Sequence, residues 1–156
     1  PAPGADVTVP GGATRSDSVR AGLSAVPEDV AVVVVHDAAR PLASPALFRA
    51  VVEAVAAGAD AAVPGVRVPD TVKRVGGDGV VEETLDRDPL VLVQTPQAFA
   101  GAALRRAHRS GTHATDDAAL VEADGGRVVV VPGEPDNLKI TRADDLVRAA
   151  ALIGRG

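Results

Sequence analysis

The chain has 156 residues, a formal net charge of −5 at pH 7, no cysteine, no Tyr or Trp, and only two Phe residues. The negative charge excludes a general attraction to nucleic acid or anionic lipid, and the scarcity of aromatic rings disfavours stacking on single-stranded bases. Without cysteine, disulfides and thiolate catalysis are excluded. No apolar run reaches the roughly 18 residues of a membrane span. We therefore expect a cytoplasmic protein with one domain over residues 1–156.

The first half of the chain alternates short apolar strands with helices. Strands are predicted at 7–9, 31–35 and 60–63, and helices at 15–25 and 45–57. The valines at 32–35 are apolar on both faces, which is typical of a buried parallel strand. Thr14 or Ser16 is expected to cap the first helix, and Ser44 with Pro45 to begin the second. This order predicts an α/β fold with a mostly parallel sheet and right-handed crossovers.

The pattern then changes to a β-hairpin. Residues 66–75 and 80–85 flank the glycine-rich turn 76–79, and their faces are mixed and charged. A two-stranded hairpin is marginal in water unless it packs on something. We therefore predict an inserted arm over 66–88 that packs on another subunit, with a hairpin folded back on its own domain as the alternative.

The remaining elements continue the α/β pattern. A core strand is predicted at 90–93, helices at 101–109, 116–123 and 142–153, and a strand at 127–131. Thr115 and Thr141 are the expected caps of the last two helices. Acidic residues follow each of these caps, where they favour a helix N-terminus.

The most informative polar cluster is His-Asp-Ala-Ala-Arg-Pro at 36–41, directly after the valine strand. In open α/β sheets, ligands bind at the carboxyl ends of the strands. Asp37 can hold a metal ion or a ribose hydroxyl there, and Arg40 can fork onto a phosphate. The alternative is a strand-end salt bridge with a turn at Pro41.

Further polar groups are predicted at the same edge of the sheet. Thr95 and Lys139 follow strands, Thr115 begins a helix, and Arg15 and Ser18 lie at a helix N-terminus, which together resemble the fittings of a phosphate site. Taken singly, the threonines can be mere caps and the lysine a surface charge.

The chemistry predicted for these groups is phosphoryl chemistry without a protein nucleophile. One carboxylate, Asp37, can help hold Mg²⁺ against a triphosphate, because Mg²⁺ commonly takes one or two carboxylates plus phosphates. The three histidines, His36, His108 and His113, are scattered and are interpreted as structural or exposed. Direct in-line displacement at phosphorus is therefore the expected reaction.

Seven segments occur in an order that resembles the 2-C-methyl-D-erythritol 4-phosphate cytidylyltransferase family. They are GGATRSDSV at 11–19, HDAARP at 36–41, DTVKR at 70–74, DR at 86–87, QTPQ at 94–97, ATDD at 114–117 and DNLKIT at 136–141. The resemblance implies a Rossmann-like fold of the nucleotide-diphospho-sugar transferase type. It also implies Mg²⁺-dependent cytidylyl transfer from CTP to methylerythritol phosphate, in the non-mevalonate isoprenoid pathway, by a homodimer.

The resemblance also implies roles for ten residues. It assigns CTP binding to Gly12, Arg15, Ser18 and Asp37, and binding of methylerythritol phosphate to Arg40, Thr71, Arg87, Thr95, Thr115 and Lys139. Asp37 and Lys139 would be catalytic, with Asp37 also the metal ligand. Thr71 and Arg87 lie on the arm, so they would reach the site of the partner in a dimer.

Two departures from the family pattern set further expectations. Ala13 stands where the family often has an acidic residue, so a base-reading contact there would fall to the backbone. The family begins with a strand and a Gly-rich CTP loop, and this chain resembles the carboxyl-terminal two-thirds that follow. We therefore expect the chain alone to be nearly inactive, because such loops supply cationic groups to the reacting phosphates.

Three other functions compete with this interpretation. One is cytidylyl transfer to another polyol phosphate, such as ribitol 5-phosphate. Another is a non-catalytic sugar-phosphate-binding or dimerisation fragment. A dinucleotide-binding oxidoreductase is disfavoured, because no G-x-G-x-x-G follows a predicted strand.

Overall fold

Five helices and seven strands make up the computed structural model, which describes residues 4–109 and 114–154. The helices are α1 (Arg15–Ser24), α2 (Pro45–Ala56), α3 (Gly101–His108), α4 (Asp117–Ala123) and α5 (Ala143–Ile153). The strands are β1 (Val32–Val35), β2 (Ala61–Arg67), β3 (Val72–Val75), β4 (Val81–Leu85), β5 (Val91–Val93), β6 (Gln97–Ala100) and β7 (Val128–Pro132). None of the helices so described is long and apolar enough to cross a membrane.

The main sheet is built around β2. One edge of β2 pairs in parallel with β7, and the other edge pairs antiparallel with β6 and then with β5. Strand β6 also pairs antiparallel with β1, so β1, β2 and β7 share one direction. The α/β class is confirmed. The expectation of a mostly parallel sheet holds for the directions of β1, β2 and β7. Only one described pairing in this sheet, that of β2 with β7, is parallel, because β6 lies antiparallel between β1 and β2.

Strand β6 is the element that the sequence analysis missed. No element was predicted between the strand at 90–93 and the helix at 101–109, yet Gln97–Ala100 forms a buried strand with Phe99 fully enclosed. The strand has only four residues and follows Pro96, so it is too short to show a clear period. The predicted core strand at 90–93 is instead the exposed β5, whose side chains are 37–53 % exposed.

The strand predicted at 7–9 is also wrong. Residues 7–9 are irregular and join no strand in the described ranges, and Val7 is 65 % exposed. Three apolar or β-branched residues favour a strand only where a ladder partner and a buried face exist.

Helix caps were predicted correctly in the first half of the chain. The amide of Asp17 donates to the hydroxyl of Thr14 at 3.1 Å, and the amide of Leu47 donates to that of Ser44 at 3.1 Å. In the second half the caps lie one residue later than predicted. Asp116, and not Thr115, caps α4, and Arg142, and not Thr141, occupies the cap position of α5. The carboxylate of Asp116 reaches the amide of Ala119 at 2.9 Å.

Helices cover the sheet on both faces. Along β2, Ala61 and Val63 face one cluster of buried residues from α1, α3 and α4, whereas Ala62 faces a second cluster from α2. This alternation follows from the two-residue period of a strand. The two layers of helices leave the strand ends open at one edge, where the polar cluster lies.

The predicted hairpin is confirmed as a separate two-stranded sheet of β3 and β4. Gly79 adopts φ +82° in its turn, a conformation that favours glycine, and Arg74 pairs with Glu83 at 3.0 Å. Residues 66 and 67 belong to β2 rather than to the arm. Three valines of the hairpin are 51–60 % exposed, so much of its apolar surface has no cover in the described chain.

Candidate functional site

The loop after β1 is held by a chain of hydrogen bonds through His36. The amide of Asp37 donates to Oγ1 of Thr95 at 3.0 Å, and that hydroxyl lies 3.1 Å from Nδ1 of His36. Nε2 of His36 lies 3.1 Å from the carbonyl oxygen of Arg40. The set is consistent when the Thr95 hydroxyl donates to Nδ1 of His36 and Nε2 of His36 donates to the carbonyl oxygen of Arg40. His36 is therefore structural, as expected, and it shapes the turn that carries Asp37 and Arg40.

The carboxylate of Asp37 meets the ammonium of Lys139 across the site. Nζ of Lys139 lies 2.8 Å from Oδ2 of Asp37, and the two side chains are 48 % and 23 % exposed. Burial raises the pKa of Asp37, but the hydrogen bond and charge of Lys139, with the charges of Arg15 and Arg40, outweigh it and lower the pKa below its ordinary value. Asp37 is thus a carboxylate at neutral pH.

Arg40 is the second cation of the cluster. Its Nη1 donates to the carbonyl oxygen of Asn137 at 2.7 Å, and the amide of Ile140 donates to the carbonyl of Ala39 at 2.7 Å. Burial lowers the pKa of the Arg40 guanidinium, and the charge of Asp37 opposes that change. An arginine remains a cation under these conditions, so the contacts fix a positive charge beside Asp37.

Buried amide side chains form a brace behind the cavity, between the segment around Thr95 and the segment before Lys139. Asn137 is fully buried, and its Nδ2 donates to the carbonyl oxygen of Thr95 at 2.9 Å. Gln94 donates to the carbonyl of Glu134 at 2.8 Å and accepts from the amide of Glu134 at 3.1 Å. The brace joins the residues before Lys139 to the residues around Thr95, so the two segments are held together by hydrogen bonds.

The opposite wall comes from α1, β6 and the start of α4. Gln97 is 2 % exposed, and its Nε2 donates to Oδ2 of Asp116 at 3.2 Å. Arg15 begins α1, and Thr115 precedes the cap of α4. This wall brings a guanidinium and a hydroxyl to face the Asp37–Lys139 pair.

Together these groups line a cavity of about 230 Å³. Its lining residues are Arg15, Asp37, Arg40, Val93, Gln94, Thr95, Gln97, Thr115, Asp116 and Lys139. Six of the ten predicted site residues are therefore brought together: Arg15, Asp37, Arg40, Thr95, Thr115 and Lys139. Larger cavities exist on this chain, but the one lined by β1 and α1 is mainly apolar.

Four predicted residues lie outside this cavity. Gly12, before α1, and Ser18, in the first turn of α1, contact each other, since the amide of Gly12 donates to Oγ of Ser18 at 3.0 Å. A Cβ on Gly12 would approach Cβ of Asp17 to 2.1 Å, so the close turn requires glycine. Thr71 and Arg87 are exposed at the base of the hairpin, where Arg87 donates to the carbonyl of Pro69. His113 lies outside the described residues.

The sequence analysis gave no site role to Gln94, Gln97, Asp116 and Asn137. Each lies inside a motif that was recognised, within two positions of a residue that was assigned. For Gln94, which directly follows a predicted strand, the available signal was its polar amide, since a buried amide there must find hydrogen-bond partners.

A divalent cation fits this cavity only together with a phosphorylated ligand. Within residues 4–109 and 114–154, no three His, Cys, Asp or Glu side chains come close enough to hold a metal ion. The cavity offers the carboxylates of Asp37 and Asp116. Mg²⁺ commonly takes one or two carboxylates plus substrate phosphates, and this donor set suits that arrangement.

An α/β sheet with a cationic cavity at its strand ends defines a domain of the class that binds nucleotides and sugar phosphates. The profile of one family, IspD: 2-C-methyl-D-erythritol 4-phosphate cytidylyltransferase, matches residues 4–155. The chain belongs to this family.

Individual relatives agree with this assignment. The chain is 53 % identical to the 2-C-methyl-D-erythritol 4-phosphate cytidylyltransferase of Saccharopolyspora erythraea over 93 % of its own length and 66 % of the relative. It is 51 % identical to that of Frankia casuarinae, over 97 % of this chain and 58 % of the relative. The crystal structure of the Thermus thermophilus enzyme superimposes with a TM-score of 0.83 at 42 % identity, covering 97 % of this chain and 78 % of that one. The chain thus spans about 58–66 % of the two curated relatives.

Proposed function

We propose that this chain carries the acceptor site and part of the catalytic site of a cytidylyltransferase, which joins CTP to 2-C-methyl-D-erythritol 4-phosphate. The observation that carries the proposal is the Asp37–Lys139 pair, set beside Arg40 in one polar cavity of a chain from this family. The products are CDP-methylerythritol and pyrophosphate. We further propose a cytoplasmic location, because both substrates are phosphorylated and charged.

The reaction is an in-line displacement at phosphorus. A phosphate oxygen of the acceptor attacks the α-phosphorus of CTP and forms the new P–O bond. The bond between the α-phosphorus and the bridging oxygen breaks, and its electron pair leaves on pyrophosphate. Negative charge then increases on the equatorial oxygens, so fixed cations are the groups that accelerate the reaction.

Lys139 and Arg40 supply such cations in this chain. Lys139 is 48 % exposed, so its ammonium can turn from Asp37 towards an incoming phosphate. Arg40 is anchored by Asn137 and retains other N–H groups for the acceptor. These two residues bind and orient the acceptor phosphate, and they stabilise the charge that develops during transfer.

Asp37 serves the nucleotide side of the same site. Its lowered pKa keeps it ionised, and its backbone is fixed through Thr95. In this position it can accept from a ribose hydroxyl and hold a cation that arrives with the triphosphate. Mg²⁺ bound with CTP would neutralise phosphate charge and favour the departure of pyrophosphate.

We further propose a homodimer in which each arm reaches into the partner's site. The hairpin of β3 and β4 has exposed valines, and β5 and β7 expose Leu92 and Val130 by 53 % and 54 % beside a cavity of about 470 Å³. Exposed apolar surface of this kind favours an interface. Thr71 and Arg87 lie outside the cavity of their own chain, which is consistent with a role in the second site.

The test is pyrophosphate release from CTP with two acceptors compared at equal concentration. The chain is assayed alone and joined to the amino-terminal segment of the Saccharopolyspora relative. Turnover with methylerythritol phosphate, abolished by Asp37→Asn and unchanged by Asp29→Asn at an exposed position, supports the proposal. Faster turnover with ribitol 5-phosphate would assign a different acceptor. Binding of the sugar phosphate without pyrophosphate release from either form would mean a non-catalytic module.

A further inference from the structure

Arg15 enters the cavity from the first position of α1, and a buried acid holds it from behind. Nη1 of Arg15 lies 2.8 Å from Oδ2 of Asp117 in an ion pair. The Arg15 side chain is 34 % exposed, whereas that of Asp117 is wholly buried. The guanidinium therefore has one side towards the cavity and one side fixed to the interior.

The ion pair is the main interaction of both atoms. Neither Nη1 of Arg15 nor Oδ2 of Asp117 has a hydrogen-bond partner elsewhere in the described chain. A buried carboxylate is strongly unfavourable unless it is paired. Movement of Arg15 away from Asp117 would leave this oxygen uncompensated, so the fold opposes that movement.

The other oxygen of Asp117 is fixed as well. Nε2 of His108 lies 3.0 Å from Oδ1 of Asp117, and both side chains are almost completely buried. His108 ends α3, and Asp117 begins α4. The carboxylate is therefore clamped between two helices, and its orientation towards Arg15 is determined by the packing of the core.

We propose that Asp117 is a positioning residue that fixes the guanidinium of Arg15 opposite Asp37, in the orientation needed for the nucleotide. The inference rests on the proposed function, because Arg15 is the group that would contact CTP. The charge of Arg15 also acts on Asp37 across the cavity. Asp117 is not one of the residues that line the cavity, so its effect on catalysis passes through Arg15.

A double-mutant cycle on kcat/KM, measured on the chain joined to the amino-terminal segment of the relative, separates positioning from a merely structural role. In Asp117→Asn, the loss of the charge releases Arg15, and we expect kcat/KM to fall about tenfold or more. Most of this fall should come from KM, and the KM for CTP should rise more than the KM for the acceptor. In an Arg15→Ala background, the same substitution should change kcat/KM by less than about twofold. Equal losses in both backgrounds would overturn the proposal.

Asp124→Asn is the matched control. Asp124 also pairs with an arginine, since Nε of Arg106 lies 2.5 Å from its Oδ2, but the pair is partly exposed and neither residue lines the cavity. Its substitution should leave KM for CTP unchanged. A rise in KM equal to that of Asp117→Asn would show that loss of any such pair has the same effect, and would overturn the proposal.

A second measurement needs no turnover. The side-chain Nε–Hε signal of Arg15, assigned by its loss in Arg15→Ala, should show the heteronuclear NOE of a rigid group in the unsubstituted protein. The value should fall in Asp117→Asn and stay unchanged in Asp124→Asn, because only the first substitution removes the ion-pair partner of Arg15. An equal value in the unsubstituted protein and in Asp117→Asn would contradict the inference. If the chain joined to the amino-terminal segment of the relative lacks turnover, the proposed function fails, while this result still tests whether Asp117 holds Arg15.

Discussion

The backbone amide of Asp37 donates to the hydroxyl of Thr95 at 3.0 Å, although the two residues are 58 positions apart in the chain. Thr95 is only 6 % exposed, and the same hydroxyl contacts His36. Thr95 was assigned to the substrate by resemblance. Its hydroxyl already has two partners in this structure, so its contribution here is to hold the loop that presents Asp37 to Lys139.

Thr95→Val should therefore damage both stability and activity. Valine has a similar volume but leaves the amide of Asp37 without an acceptor. A buried unsatisfied donor costs about 1–3 kcal/mol, and we expect the free energy of unfolding in urea to fall by that amount. Displacement of Asp37 should also lower kcat/KM about 100-fold, since small misplacements of catalytic groups have effects of that order.

Thr95→Ser is the control for this prediction, because serine keeps the hydroxyl and loses only a methyl group. Its activity should stay near that of the unsubstituted protein. If the serine and valine variants have equal kcat/KM, the hydroxyl does not hold the loop.

More of the polar site than of the sheet that carries it could be predicted from the sequence. Asp37, Arg40 and Lys139 were predicted to lie at one edge of the sheet because each follows a strand, and the structure lines one cavity with all three. Strand β6 was missed because four residues carry too little periodicity, and its pairing with β1 and β2 depends on contacts distant in sequence. Local pattern thus located the residues of the candidate site, whereas strand order required the tertiary structure.

The brace behind the site illustrates a second limit of sequence reasoning. Asn137 and Gln94 lie in recognised motifs, but nothing local indicates that one donates to the carbonyl of Thr95 and the other bonds both backbone groups of Glu134. The same holds for Asp117, which the sequence suggested only as a favourable charge in the first turn of a helix. Burial gave these residues their roles, and burial is decided by the whole fold.

Removal of the Lys139 ammonium should mainly affect the chemical step. Lys139→Met keeps most of the side-chain volume but removes the charge, and we expect kcat to fall about 100- to 1,000-fold, as for loss of one preorganised donor. The free energy of unfolding should change little, because the lysine is about half exposed. Stopped-flow or coupled measurement of pyrophosphate release, on the chain joined to the amino-terminal segment of the relative, gives kcat. A change confined to KM would assign Lys139 to binding alone.

The titration of Asp37 should depend on the same lysine. The folded pKa of Asp37 lies below its ordinary value, so its contribution to stability is present above the unfolded pKa of about 3.9 and is lost as the pH falls through the folded pKa. In Lys139→Met, the group that lowers this pKa most is gone while Arg15 and Arg40 remain, and the pKa should rise. Titration of the Asp37 carboxyl carbon by NMR measures the change. An unchanged or lower pKa in the variant would contradict the pairing of Asp37 with Lys139.

Exchange of arms between protomers predicts complementation of two inactive variants. Asp37→Asn damages the cavity of its own protomer, whereas Arg87→Ala would damage the cavity of the partner. In a mixed dimer, one site then receives intact Asp37 from one chain and intact Arg87 from the other. Random mixing at equal amounts makes about half of the dimers mixed, each with one intact site, so about a quarter of the full activity should return.

Asp37→Asn mixed with Arg40→Ala is the matched control, because both residues line the same chain's cavity and no mixed dimer gains an intact site. Recovery in the first mixture alone supports arm exchange, and its absence in dimers shown by native mass spectrometry to have mixed would place Arg87 in the site of its own chain or in none.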